Sequence, residues 1–266
     1  MAPRSLTLVL PAYNEERRLG PALDELFGYL NRGGPGRGGL PGPGELPRDI
    51  RVLVVDDGST DGTAALVRAR PEAVPGAAGS VAPLSVLSIP HGGKGAAVRA
   101  GVLASEGDVI VFADADMATP PDQLPLLVRA LQGADLALGS RIQADGSDMR
   151  RSQPDYRRLL GRAFHLVASA WVAGPVRDTQ CGFKGFTREA AGDLFSRQQI
   201  TSIVFDVELI YLARRRGYRV AIVPIEWSDR HGSRMRAGPG LAVRVLWDIL
   251  RIPFLHRGLA RRDPAS

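Results

Sequence analysis

Apolar residues in the first half of the chain fall into short continuous runs separated by segments with helical spacing. Ser5–Leu10 is unbroken until Pro11, which predicts a strand buried on both faces. Leu19, Leu23, Leu26 and Leu30 then recur three or four positions apart, predicting a helix over Glu15–Leu30. Arg51–Val55, Leu84–Ile89 and Asp108–Ala113 are further strand-like runs, with helical stretches at Ala64–Arg70 and Gly95–Ser105. The resulting β-α-β-α-β-α-β order predicts a mostly parallel sheet covered on both faces, an α/β fold.

Beyond that point the pattern predicts a helix over Asp122–Leu131, a strand over Asp135–Gly139, helices over Asp155–Ala173 and Phe205–Arg215, and a late strand over Arg219–Pro224. Residues 31–49 are rich in glycine and proline and read as a surface insertion. Pro71–Pro83 reads as a loose loop. Residues 1–236 are therefore expected to form one catalytic unit, with a donor half over 1–130 and an acceptor half over 131–236. Residues 237–266 form a basic amphipathic tail, whose pattern suits either an anionic membrane interface or packing on the core.

A length of 266 residues, 44% hydrophobic and 23% charged, describes an ordinary globular chain. The net charge of +6 suggests an anionic partner without saying which. Nucleic acid is disfavoured, because the arginines are spread out rather than clustered with aromatics. Of the 34 basic residues only Lys94 and Lys184 are lysines, and both fall inside motifs. The single cysteine, Cys181, rules out an intrachain disulfide framework and is expected to be buried. No segment approaches the roughly 20 apolar residues of a membrane span, so any membrane contact is expected to be peripheral.

Ligands of parallel sheets bind outside the carboxyl ends of the strands. Three motifs sit there: Pro11–Glu15, Asp56–Asp61 and Asp114–Asp116. The two carboxylates of Asp114-Ala115-Asp116 could supply hard oxygen ligands to Mg²⁺ or Mn²⁺ and leave positions for a diphosphate. Gly92-Gly93-Lys94-Gly95 is not a Walker sequence but can form a flexible basic turn in which Lys94 reaches phosphate. Asp178–Lys184 carries no general physical signature, and Asp206 and Glu208, two residues apart, cannot share one helix face.

In their order, Pro11-Ala12-Tyr13-Asn14-Glu15-Glu16, Asp56–Asp61, Gly93-Lys94-Gly95, Asp114–Asp116, Gly139-Ser140-Arg141, Asp178–Lys184 and Phe205–Glu208 resemble the inverting family-2 glycosyltransferases. Within them the chain looks like the dolichyl-phosphate β-glucosyltransferase branch. The wording of Asp178–Lys184 and the presence of Ala118 favour glucose over mannose. The late Gly-Ser-Lys element of that branch reads Gly232-Ser233-Arg234 here.

The resemblance implies a GT-A fold, a UDP-sugar donor, a polyprenyl-phosphate acceptor and a place at the cytoplasmic face of a membrane. It implies that Pro11, Tyr13, Glu15 and Asp57 hold the nucleoside. Lys94, Asp114 and Ala115 would serve the donor phosphates and ribose, with Asp116 as metal ligand and Asp114 its partner. Arg141, Arg157, Lys184 and Arg234 would orient phosphates, and Asp206 would serve as a positioning group or weak base for the acceptor.

Overall fold

The computed structural model describes residues 3–32, 46–74, 82–143, 145–149, 171–172, 174, 176–228 and 239–262. Its centre is a seven-stranded sheet: β1 (Ser5–Ala12), β2 (Asp49–Asp56), β3 (Leu84–Ser88), β4 (Val109–Ala113), β5 (Leu136–Ser140), β6 (Phe183–Thr187) and β7 (Val220–Pro224). The helices are α1 (Glu16–Asn31), α2 (Thr63–Arg68), α3 (Lys94–Leu103), α4 (Leu124–Ala130), α5 (Arg188–Arg197), α6 (Phe205–Arg216) and α7 (Pro239–Leu255).

Alternation along the strands explains the layering. Leu6, Leu8 and Leu10 of β1 face α1, packing with its Leu19, Leu23 and Leu26 in one cluster. Val9 points the other way, into a second cluster with Val98 and Val102 of α3. In β4, Val111 belongs to the first cluster and Phe112 to the second, as side chains on a strand alternate between faces. The second cluster is reinforced by aromatics, with the Phe112 and Phe186 rings stacked 6.1 Å apart and Phe195 edge-on to Phe186 at 5.2 Å.

The strand order is β3-β2-β1-β4-β6-β5-β7. Successive strands β1, β2 and β3 build one way, and β4 then pairs on the opposite edge of β1. A switch in direction opens a crevice between the carboxyl ends of β1 and β4.

The predicted strands of the first half and the predicted fifth and late strands are all present, with ends moved by one or two residues. The helix expected over Asp122–Leu131 is instead a 3₁₀ turn at Pro121–Gln123 followed by α4, and Pro125 accounts for the late start, since it has no N–H to bond the carbonyl of Pro121 and is best placed in the first helical turn. Nearly all of the helix expected over Asp155–Ala173 lies outside the described residues, as does most of the 31–49 insertion.

β6 and α5 were not anticipated. β6 runs antiparallel between β4 and β5, pairing Ala113 with Phe183 and Leu138 with Lys184. Because it is reversed, its amino end lies beside the carboxyl end of β4. The 237–266 segment also proves to belong in part to the core: Ile249 and Ile252 of α7 pack with Ile210 of α6 and Leu138 of β5.

Candidate active site

The loops after β1 and β2 are fastened to each other by polar contacts. Asn14 adopts φ 54°, a left-handed conformation that asparagine tolerates. Its side chain accepts from Thr60 N at 2.8 Å, and its own amide donates to Ser59 Oγ at 2.9 Å. Glu15 N donates to Thr63 Oγ1 at 2.8 Å. These bonds set Tyr13 at the rim, 41% exposed and stacked on His91 with ring centroids 4.2 Å apart.

Asp57, expected to help hold the nucleoside, is bonded to the neighbouring turn. Its side chain is buried, with Oδ1 accepting from Gly92 N at 2.7 Å and Oδ2 from Gly93 N at 2.9 Å. Asp57 thus shapes the β3–α3 turn, and the aromatic surface left at the rim is the Tyr13–His91 pair. Gly93 takes φ 94°, and Gly95 N donates to Thr201 O at 2.9 Å. The turn is pinned on both sides and delivers Lys94.

Lys94 Nζ donates to Asp114 Oδ1 at 2.5 Å. Asp114 N in turn donates to Gly182 O at 3.0 Å, so the antiparallel β6 supports the first acid of the triplet. Asp116 Oδ1 accepts from Ala118 N at 3.1 Å, and Met117 between them takes φ 50°. A methionine in the left-handed region is a local strain of the kind found at functional turns. Ala115 is buried and presents no side chain to the crevice.

Arg18, which the sequence reading passed over, grips Glu15 through Nε to Oε2 at 2.6 Å and a second guanidinium contact. Its Nη1 also lies 3.7 Å from Asp116 Oδ2. Its signal was present: Glu15 and Arg18 stand three apart, the spacing that brings side chains together on a helix.

Electrostatics single out the triplet. Burial and the neighbouring Asp114 charge raise the Asp116 carboxyl above its ordinary range, against the pull of Arg18. Lys94 is raised: burial opposes its charge, but Asp114 and Asp206 outweigh burial. Among the described residues no three His, Cys, Asp or Glu side chains gather into a metal cage. The donor set nevertheless fits Mg²⁺ or Mn²⁺. Such an ion takes one or two carboxylates and completes its shell with phosphate oxygens and water, and it would relieve the crowding of negative charge at Asp116.

In the half expected to serve the acceptor, the Lys184 side chain is fully buried. Its Nζ donates to Asp206 Oδ1 at 2.6 Å and to Cys181 O at 2.5 Å. This corrects its expected contact with an acceptor phosphate, because the ammonium has no exposed surface and is committed to Asp206. Burial raises the Asp206 carboxyl while Lys184 and Lys94 pull it down. Arg141 is likewise engaged: its Nε and Nη2 reach Asp178 at 2.9 and 2.6 Å, with the Trp227 ring 5.6 Å away. The Cys181 thiol is buried, as expected, and desolvation pushes its pKa up to about 11. Pro11 lies half-buried at the end of β1. Arg157 and Arg234 lie outside the described residues.

The sequence model described as Glycosyl transferase family 2 matches residues 7–195, most of the chain. The chain belongs to that family. The protein is a glycosyltransferase, and residues 7–195 include both triplet acids, Lys94, Arg141 and Lys184. A dolichyl-phosphate beta-glucosyltransferase of Trichomonas vaginalis is 36% identical over 259 residues, covering 94% of this chain and 71% of that protein. The human dolichyl-phosphate beta-glucosyltransferase is 32% identical over 243 residues, covering 87% and 70%.

Glucosyl-3-phosphoglycerate synthase from Mycobacterium tuberculosis, solved with Mn²⁺, UDP-glucose and phosphoglyceric acid, superposes with a TM-score of 0.62 at 19% identity. That match covers 99% of this chain and 82% of the other. The expected GT-A fold of this glycosyltransferase is thereby shown.

Proposed function

We propose that the enzyme transfers glucose from UDP-glucose to a polyprenyl monophosphate of the dolichyl type, with inversion at the anomeric carbon, at the cytoplasmic face of the membrane carrying that lipid. The observation that carries this reading is the convergence of Lys94, Arg18, Asp114 and Asp116 at the β1/β4 crevice, a basic and acidic pairing suited to a metal-bridged diphosphate. The glucosyl group and the lipid acceptor follow from the relatives that match nearly the whole chain.

In this reading the uridine lies over the rim formed by Pro11, Tyr13 and Glu15, with Asp57 holding the adjoining turn. Lys94 leans on Asp114 and meets the donor phosphates. Asp116, with Asp114 beside it, would hold Mg²⁺ or Mn²⁺, which supplies Lewis-acid neutralisation of the departing diphosphate.

The acceptor phosphate attacks through an oxygen that is already largely ionised at neutral pH, so no strong general base is required. Asp206 positions the acceptor side, and Lys184 acts through Asp206. Arg141, Arg157 and Arg234 contribute the positive field that turns the acceptor phosphate inward.

The test is a panel of UDP-glucose, UDP-galactose and GDP-mannose against dolichyl- and undecaprenyl-phosphate, with products weighed by mass spectrometry and the anomer read by NMR. The expected product is a β-linked glucosyl phosphate from UDP-glucose alone. Preferential transfer from GDP-mannose, or transfer to no lipid phosphate, overturns the reading.

A further inference from the structure

Helix α7 is apolar on two opposite faces. One face is used: Asp248, Ile249, Ile252 and His256 are buried against the protein, with Val245 and Leu255 packed beside them. Polar hooks fix it there. Ser202 Oγ donates to Asp248 Oδ2 at 2.6 Å, and the His256 Nε2–Glu208 Oε1 pair lies at 2.8 Å, nearly inaccessible to solvent.

The opposite face is exposed. Val243, Leu246, Trp247, Leu250 and Phe254 follow one another at helical spacing on a single stripe, with Val243 69% and Trp247 62% exposed. Trp171 joins the stripe, 49% exposed, and its indole N–H donates to Leu250 O at 3.4 Å. A helix hydrophobic on both sides is not a solvent-facing element, so the outer stripe calls for a cover.

Charge indicates what the cover is. Residues 239–262 contain five arginines and a single acid, Asp248, and that acid points inward. Arg244 and Arg251 flank the stripe on one side, and Arg257 stacks its guanidinium over the Phe254 ring at 4.5 Å. Arg251 pairs with Asp248 at 2.7 Å and Arg262 with Glu189 at 2.6 Å, so the charge presented beside the stripe comes from Arg244 and Arg257. An apolar stripe with tryptophan at its edge and these arginines beside it matches the interface of an anionic bilayer, where rings sit at headgroup depth and guanidinium meets phosphate. A protein partner or a second copy of this positively charged chain would meet the same arginines without that compensation.

We infer that the outer face of α7, with Trp171, docks the enzyme on an anionic lipid surface. The inference rests on the proposed function only for the lipid nature of the acceptor. The inner face of α7 packs against α6, which carries Asp206, so docking would hold the acceptor side of the site close to the membrane.

The experiment is co-sedimentation of the full chain with phosphatidylcholine vesicles, with and without phosphatidylglycerol, for the wild type and for the Leu246→Ser/Trp247→Ser variant. The wild type is expected to bind anionic vesicles and to weaken as salt rises. The variant should bind about tenfold or more weakly while keeping its melting temperature and its UDP affinity. Wild-type protein that ignores anionic vesicles, a variant that binds them equally well, or a concentration-dependent dimer that the variant dissolves would each overturn docking.

Transfer to a short, water-soluble prenyl phosphate without vesicles tests the proposed reaction separately. Docking without transfer defeats that reaction, and transfer without docking defeats this inference.

Discussion

Gly182 lies so close to the Asp114 carboxylate that a β-carbon at position 182 would collide with all three of its terminal atoms. The two residues are also joined by the Asp114 N to Gly182 O hydrogen bond of 3.0 Å. Asp114 can therefore occupy its place under Lys94 only because residue 182 has no side chain. Gly182→Ala should displace the Asp114 carboxylate and lower transfer by about tenfold or more, since small misplacements near reacting groups cost that much. Because the displaced side chain faces a crevice, the melting temperature should change little. Steady-state kinetics beside thermal denaturation check this, and unchanged activity would show that Asp114 need not sit where it does.

Asp116→Ala should reduce transfer about a hundredfold or more, the scale of losing a group that stabilises developing charge, with the fold intact by circular dichroism. Excess EDTA should do the same to the wild type, and added Mn²⁺ or Mg²⁺ should restore it. Full activity in EDTA refutes the metal role.

Lys184 and Asp206 form a fully buried pair with little solvent to replace a missing partner. Removing one charge should therefore be worse than removing both. Lys184→Met is expected to destabilise the fold by about 3–5 kcal/mol, while Lys184→Met combined with Asp206→Leu should recover much of that loss. Denaturant unfolding of both single variants and the double checks it, and additive losses would deny the coupling.

Arg18→Ala should weaken UDP binding more than it changes stability, because the residue is partly exposed and bridges Glu15 to the region of Asp116. A rise in the Kd for UDP of about threefold to tenfold, the net worth of one ordinary hydrogen bond, is the expected outcome, read by calorimetry with UDP.

Acid stability should depend on Asp193 of α5. Burial opposes its charge, but hydrogen bonds from Arg216, Arg197 and Tyr218 outweigh that and hold its carboxyl below its ordinary value. A depressed folded-state pKa contributes stability that is complete above the ordinary aspartate value of about 3.8 and is lost as pH falls through the folded one. Asp193→Asn should therefore cost about 1–3 kcal/mol at neutral pH, and the difference from wild type should shrink as the pH drops below 4. Thermal melts across pH 2.5–7 test it, and a constant difference would exclude the linkage.

The first half of the fold was legible because its signals are local. Four apolar runs, each ending at a polar motif, specify parallel strands buried on both faces whose loops gather at one edge, while which side chain faces which helix came from the packing. The triplet Asp114–Asp116 could be placed at a strand end for the same reason. The family motifs were also legible from the sequence alone.

What the sequence could not decide is where distant segments meet. Phe183–Thr187 has a lysine and a glycine between its two phenylalanines and is too weakly patterned to read as a strand. It becomes β6 because β4 and β5 offer it unpaired edges on both sides. That placement turns Lys184 away from solvent and onto Asp206, an outcome set by which groups share a buried space rather than by spacing along the chain. In the same way, composition made 237–266 amphipathic, but only packing against α6 and β5 determined which face of α7 is spent on the core and which is left for another surface.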